Sequence, residues 1–193
     1  MFPGFAFSIL LMLQPAAWDF HLLDARGNPH SKAEWKNKQA IVMLFVSTEC
    51  PISNRYAPTI NRMAQEYSRK NVAFFLVQSD PGLSPQAAEQ HAKEFALTIP
   101  VLMDPEQILA SELETLVTPT AIVLNNAGEV LYRGRVDDRN IDLGKYRDAP
   151  KREDLKIALD EVLAGKKVSE PVTKVIGCFL PPPKKGRREF QNS

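Results

Sequence analysis

Apolar positions along this chain come in two patterns. Residues 41–46 (IVMLFV) and 72–77 (VAFFLV) are unbroken runs rich in β-branched and aromatic side chains, and each predicts a buried strand. Residues 121–124 (AIVL) predict a third strand. It turns at Asn125-Asn-Ala-Gly128 into an alternating strand over 129–136, forming a hairpin. The second pattern has apolar residues every three or four positions. Ile52, Tyr56, Ile60, Met63, Ala64 and Tyr67 predict one long helix from just after Cys50 to near Lys70. Ser84 is a good N-cap and Pro85 suits a first helical position, so a second helix is expected to run to about Ala96. Leu155, Ala158, Leu159, Val162 and Leu163 mark one face of a helix over 152–164 that Gly165 stops.

Shorter pieces fill the gaps. They are a strand within 18–24, a turn at Arg26-Gly27-Asn28-Pro29, and a polar turn or helix over 31–38. Asp80-Pro-Gly82 ends the second strand, residues 100–105 are extended, and 106–113 form a short helix. Residues 137–150 read as a polar loop, in which Asp137-Asp138-Arg139 is a solvated charge cluster. From residue 166 an extended, mobile arm carries Cys178. Strand, helix, strand, helix, hairpin and final helix predict one α/β domain over 18–165, with helices on both faces of its sheet. Residues 1–17 precede it and the 166–193 arm follows it.

Composition narrows the function classes. The 193 residues are 44% hydrophobic and 24% charged, as in an ordinary globular domain. A net charge of +1 provides no broad field for nucleic acid, so no nucleic-acid partner is expected. The one dense basic run, within 181–188, reads as a solvated tail. Residues 2–13 (FPGFAFSILLML) are too short to span a bilayer comfortably and resemble the apolar core of a secretory signal. No Lys or Arg precedes them, and Pro15 is poorly placed for cleavage after Ala17. The expectation is an extracytoplasmic, periplasmic or secreted protein, with a cytoplasmic one as the alternative. His21, His30 and His91 are scattered and no Cys-x-x-Cys occurs, so no metal site is expected. Cys50 and Cys178 are open to three readings: a structural disulfide, a redox pair or two unrelated thiols.

Cys50 is the chemically suggestive residue. It stands at a strand-to-helix junction, where unpaired N–H groups and the positive end of a helix favour thiolate over thiol. Its neighbours Ser47, Thr48, Glu49, Ser53 and Asn54 are polar, which predicts a site that is not sealed in the core.

Three features together resemble the thioredoxin superfamily, and within it the peroxiredoxin-like branch, the alkyl hydroperoxide reductase/thiol-specific antioxidant or redoxin family. The first is a strand through Phe45 leading to Cys50-Pro51-Ile52-Ser53, where the superfamily has Cys-x-x-Cys. The second is Pro58, at the position of a helix-kinking proline. The third is Val117-Thr118-Pro119-Thr120 before an apolar strand, which resembles the cis-proline loop that faces the active cysteine. The resemblance spans about 18–165 and implies a thioredoxin-like fold with a central mixed β-sheet. The chain also departs from the pattern. Leu44 replaces a buried acid, Ser53 replaces the second cysteine, and Met43 replaces the proline of the peroxidatic motif, although Ser47 is kept.

The resemblance implies a thiol peroxidase in which the Cys50 thiolate attacks a peroxide and Cys178, beside the small Gly177, resolves the sulfenic acid. Ser47 and Arg133 (or Arg135) would assist catalysis, while Ser53, Thr118 and Pro119 would line the substrate site. The implied partners are a peroxide or disulfide substrate, an external thioredoxin-like or small-thiol reductant, and a second copy in a homodimer, with no metal or organic cofactor. Two alternatives stand beside it: a monothiol exchange protein similar to exported thioredoxin-like reductases, and a non-catalytic interaction module. Local geometry leaves all three open.

Overall fold

The computed structural model describes residues 18–183. The expected leader at residues 1–17 and the basic end of the tail lie outside the described residues. The fold is laid on β3 (Ala40–Val46), every residue of which is buried. β4 (Val72–Gln78) runs parallel to it, with Leu44 opposite Leu76 and Val46 opposite Gln78.

The chain enters through β1 (His21–Leu23) and β2 (Pro29–Ser31), a small antiparallel pair. A 3-10 turn at Lys32–Trp35 follows, capped by Ser31 and Glu34 acting reciprocally. After β3 come α1 (Pro51–Arg55) and α2 (Ala57–Ser68), and after β4 comes α3 (Pro85–Glu94). The Ser84 hydroxyl caps α3 as expected, accepting from Ala87 N at 3.2 Å. The extended 100–105 piece is β5 (Val101–Met103), a parallel edge strand on β4, and α4 (Ile108–Glu112) follows.

β6 (Val117–Thr118) leads through Pro119 into β7 (Thr120–Leu124), antiparallel to β3, and β8 (Val130–Gly134) completes the hairpin. The sheet order is β5-β4-β3-β7-β8, three parallel strands joined to two antiparallel ones. This is the mixed sheet that the resemblance implies. Val42, Leu44 and Val46 pack on one face with residues of α1, α2, α3 and α5 (Asp154–Leu163). Ile41, Met43 and Phe45 pack on the other with Trp35 and with Leu109 of α4.

Three expectations are corrected. The single helix after Cys50 is two, because the backbone breaks at Tyr56 and Pro58 opens the second segment instead of kinking one rod. The polar loop over 137–150 contains a hairpin, β9 (Asn140–Asp142) with β10 (Lys145–Tyr146). Within it Asp137 is not solvated: it is buried beneath Tyr56, whose hydroxyl donates to its carboxylate at 2.5 Å.

The largest correction concerns the arm. It runs back along the sheet edge, where Arg133 N donates to Pro171 O at 2.8 Å and Thr173 N donates to Arg133 O at 3.0 Å. It ends in β11 (Cys178–Phe179), antiparallel to β6. An exposed sheet edge offers unpaired N–H and C=O groups, and this arm satisfies them.

Candidate active site

The site is built where three chain segments meet at the carboxyl end of β3. The loop after Val46 presents Cys50, which is the N-cap of α1. Cys50 N donates to Ser47 O at 3.2 Å, and Asn54 Nδ2 donates to Thr48 O at 2.9 Å, so the loop is tied at both ends. From the opposite side comes the Thr118–Pro119 peptide, which is cis, as the loop motif implies. The Thr118 carbonyl accepts a hydrogen bond from Cys50 Sγ at 3.4 Å.

The third segment is β11. Cys178 stands opposite Thr118 in the ladder and Phe179 opposite Val117. Thr118 Oγ1 donates to Cys178 O at 3.4 Å, and Leu180 N donates to Leu116 O at 2.9 Å. Thr118 therefore meets one cysteine through its carbonyl and the other through its ladder position. Both thiols are free.

Burial overturns one sequence expectation. Cys50 is 0% exposed despite its polar neighbours, whereas Cys178 is only half-buried. The polar residues tie the loop to itself, and the returning arm closes what they leave open. Ser47 N donates to Ser53 Oγ at 3.4 Å, and Glu49 N donates to Ser47 Oγ at 3.3 Å.

Burial pushes the Cys50 thiol up, but hydrogen bonding from the Cys178 thiol, from the Ser53 N–H and hydroxyl and from the Ile52 N–H outweighs it. The net direction is down. Cys178 takes the opposite direction. Burial, its hydrogen bond to Cys50 and the Cys50 charge push it up to about 11. The two neighbouring thiols are thus shifted in opposite directions, Cys50 down and Cys178 up.

The predicted site residues thus separate into two groups. Cys50, Cys178, Ser53, Thr118 and Pro119 come together. Ser47 is in the loop, but its hydroxyl accepts the Glu49 N–H. Arg133 lies on β8, where its guanidinium meets Glu114 at 2.6 Å, and Arg135 meets the buried Asp154 at 2.7 Å. Neither has a hydrogen bond to Cys50 among the described residues.

Sequence reasoning missed the support beneath Pro119. Tyr56, Asp137, Asn140, Arg135 and the arm residue Ile176 line a small cleft beside that proline. Asn140 Nδ2 donates to the Tyr56 hydroxyl at 3.0 Å, and Arg139 lies over the Tyr56 ring. The available signal was Pro58, two residues after Tyr56, a residue type suited to a helix start. Among the described residues no group of three or more His, Cys, Asp or Glu side chains gathers as a metal site would.

Comparison with known proteins agrees with this geometry. The family model described as Redoxin matches residues 12–149. Proteins described as thiol-disulfide oxidoreductase ResA from Geobacillus kaustophilus (strain HTA426) and Geobacillus thermodenitrificans (strain NG80-2) are 27% and 26% identical over 113 residues. The match takes in 58% of this chain and 63% of each relative, so the chain spans less than two thirds of their length. A hypothetical protein from Sinorhizobium meliloti 1021 superposes with a TM-score of 0.74 at 28% identity, over 85% of this chain and 91% of its own. An uncharacterized conserved protein from Geobacillus kaustophilus gives 0.77 at 26% identity, over 88% and 92%. A secreted Mycobacterium tuberculosis disulfide oxidoreductase homologous to DsbE of E. coli shares the fold, with a TM-score of 0.53 at 16% identity over 76% of this chain and 95% of its own.

Proposed function

Because the chain belongs to the redoxin family of the thioredoxin superfamily, we propose that it is a thiol-disulfide oxidoreductase whose working pair is Cys50 and Cys178. The observation that carries this reading is the ladder pairing of Cys178 with Thr118, which sets a thiol 128 positions downstream (178 − 50) against Cys50. Ser53 removes the local dithiol, and the arm supplies the missing partner.

In the cycle, the Cys50 thiolate attacks one sulfur of a substrate disulfide. A mixed disulfide forms and one substrate thiolate leaves with the electron pair. Cys178 gives up its proton and attacks Cys50 Sγ, releasing the second substrate thiolate and closing a Cys50–Cys178 disulfide. An external thiol reductant then reopens it. The Ser53 and Ile52 N–H groups hold charge on Cys50 whenever it leaves. Thr118 O accepts a hydrogen bond from Cys50 Sγ while that sulfur is protonated, and Thr118 and Pro119 form the wall across which a substrate lies.

The names of the ResA relatives favour disulfide exchange over peroxide reduction. The site favours it too, since the Ser47 hydroxyl and Arg133 are engaged elsewhere. A disulfide-forming pair suits an oxidising compartment, and this reading places the chain outside the cytoplasm.

The test is turnover of glutathione disulfide and of hydrogen peroxide, with dithiothreitol as donor, by wild type, Cys50→Ser and Cys178→Ser. Disulfide turnover lost in Cys50→Ser, with a Cys50–Cys178 bond in the oxidised wild type, supports the proposal. Rapid peroxide consumption without disulfide turnover would return the peroxidase reading, and equal activity in Cys50→Ser would remove Cys50 from the mechanism.

A further inference from the structure

The two sulfurs differ in access, and the difference depends on redox state. In the dithiol form no covalent bond holds the segment around β11 over Cys50; Cys178 and Leu180 pack against the core there, and hydrogen bonds add to them. The hydrogen bonds are the short ladder with Val117 and Thr118, Leu180 N to Leu116 O at 2.9 Å, and Gln107 Nε2 to Pro181 O at 2.7 Å. All of these contacts are non-covalent and lie at the end of the arm, so lifting its tip is a local opening rather than a global one. Thr173, buried and bonded to Tyr132 Oη at 2.7 Å, keeps the rest of the arm anchored. Once a Cys50–Cys178 bond has formed, that opening is closed: a covalent link pins the arm over a cysteine that is 0% exposed, and Cys178 is the one of the two residues that is only half-buried.

We propose that the protein is oxidised through one sulfur and reduced through the other: a substrate disulfide is met by Cys50 with the arm lifted, and the reductant enters at Cys178 with the arm pinned. This inference rests on the thiol-disulfide reading above and assigns Cys178 a second role, that of the electrophile an incoming thiol attacks.

The electron balance closes. A reductant thiol loses its proton to solvent, and its thiolate attacks Cys178 Sγ. A Cys178–reductant S–S bond forms, the Cys50–Cys178 bond breaks, and the pair of electrons leaves on Cys50 as thiolate. A second reductant thiolate attacks the reductant sulfur of that mixed disulfide. It releases Cys178, which takes a proton from water, and yields the oxidised reductant disulfide. Two thiolates supply the two electrons. The direction is also the faster one on leaving-group grounds, since the more acidic thiol departs more readily and Cys50 is the one held down. Attack at the other sulfur would expel Cys178, the poorer leaving group.

The experiment uses the full chain oxidised to its disulfide form and glutathione as the thiol. After one equivalent is added, the reaction is quenched at short intervals with excess N-ethylmaleimide and mapped by peptide mass spectrometry without reduction. The expected early species carries glutathione on Cys178 and maleimide on Cys50, in about tenfold or greater excess over the reverse. Glutathione on Cys50, or on both sulfurs equally, overturns the inference while leaving the exchange reading intact. A disulfide that never opens to millimolar glutathione overturns it too, because Cys178 would then be unreachable. Failure of the wild type to form any Cys50–Cys178 bond would instead bring down the function on which it rests.

Discussion

Gly177 lies flush against the backbone of Thr118: a Cβ at position 177 would stand 2.0 Å from the Thr118 carbonyl oxygen and 2.7 Å from its carbon. Neither atom belongs to a flexible side chain, so any side chain at 177 must push the arm away. Gly177→Val is therefore expected to unseat β11 while Thr173 still anchors the arm upstream. If docking weakens by about 1.4 kcal/mol, the lifted population rises about tenfold. Iodoacetamide should then modify Cys50 about tenfold faster than in wild type, and the Cys50–Cys178 bond should form more slowly. Wild-type alkylation rates in this variant would mean that the arm is not what seals Cys50.

Tyr56→Phe tests the support under the cis-proline loop. Burial, and then the adjoining Asp137, keep the Tyr56 phenol protonated well above its ordinary range, so its hydroxyl is a permanent donor to Asp137. Without it, Asp137 Oδ1 keeps only the Arg139 N–H at 2.9 Å, and Asn140 loses an acceptor. A buried carboxylate short of a donor costs about 1–3 kcal/mol. At roughly 2–4 °C per kcal/mol, the melting temperature should fall by several degrees. A calorimetric scan matching wild type would show that the network carries no stability.

The pair makes a pH prediction with a definite sign. Burial raises the Cys50 thiol, and the first of the contributions that overcome it is the hydrogen bond from Cys178. Cys178→Ala removes that contribution and leaves Ser53 and Ile52 in place. The Cys50 thiolate, followed by its ultraviolet absorbance, should titrate at lower pH in wild type than in Cys178→Ala. In Cys50→Ser the remaining thiol loses both the hydrogen bond and the charge that hold it up, so Cys178 should ionise below its wild-type value of about 11. Unchanged midpoints in both variants would show that the thiols do not sense each other.

What was legible in the sequence was local. The runs at 41–46 and 72–77 are strands because β-branched and aromatic side chains in unbroken series suit burial on both faces, and Ser84-Pro85 opens a helix because its chemistry is that of a helix start. The cis-proline loop was legible through its motif. The illegible parts depend on where distant segments meet. Asp137-Asp138-Arg139 looks like a solvated cluster, and only the break at Tyr56 puts a phenol over Asp137. The arm looks free because nothing near Cys178 reveals that Thr118, sixty positions earlier, offers it an unpaired edge. Cys50 looked open for the same reason. Its cover comes from the far end of the chain.

Ser53→Cys restores a local partner for Cys50 and sets it against the distant one. Ser53 is buried, and both its N–H and its side chain already reach Cys50, so a sulfur at that position begins in contact. Positions three apart at the start of a helix bring their Cβ atoms to about 5–6 Å, near enough for small backbone shifts to close a disulfide. The local bond also leaves the arm unlinked, so β11 remains free to lift. Oxidised Ser53→Cys should therefore hold a disulfide between Cys50 and the introduced thiol, with Cys178 still modifiable by maleimide, while the oxidised wild type shows no free thiol. The bond would also move the reductant's entry point, since with no covalent link to the arm Cys50 becomes reachable and glutathione should appear there. If the variant still pairs Cys50 with Cys178 alone, the arm holds Cys178 against Cys50 more tightly than its non-covalent contacts imply, and opening of the arm in the dithiol form would have to be abandoned as the route to Cys50.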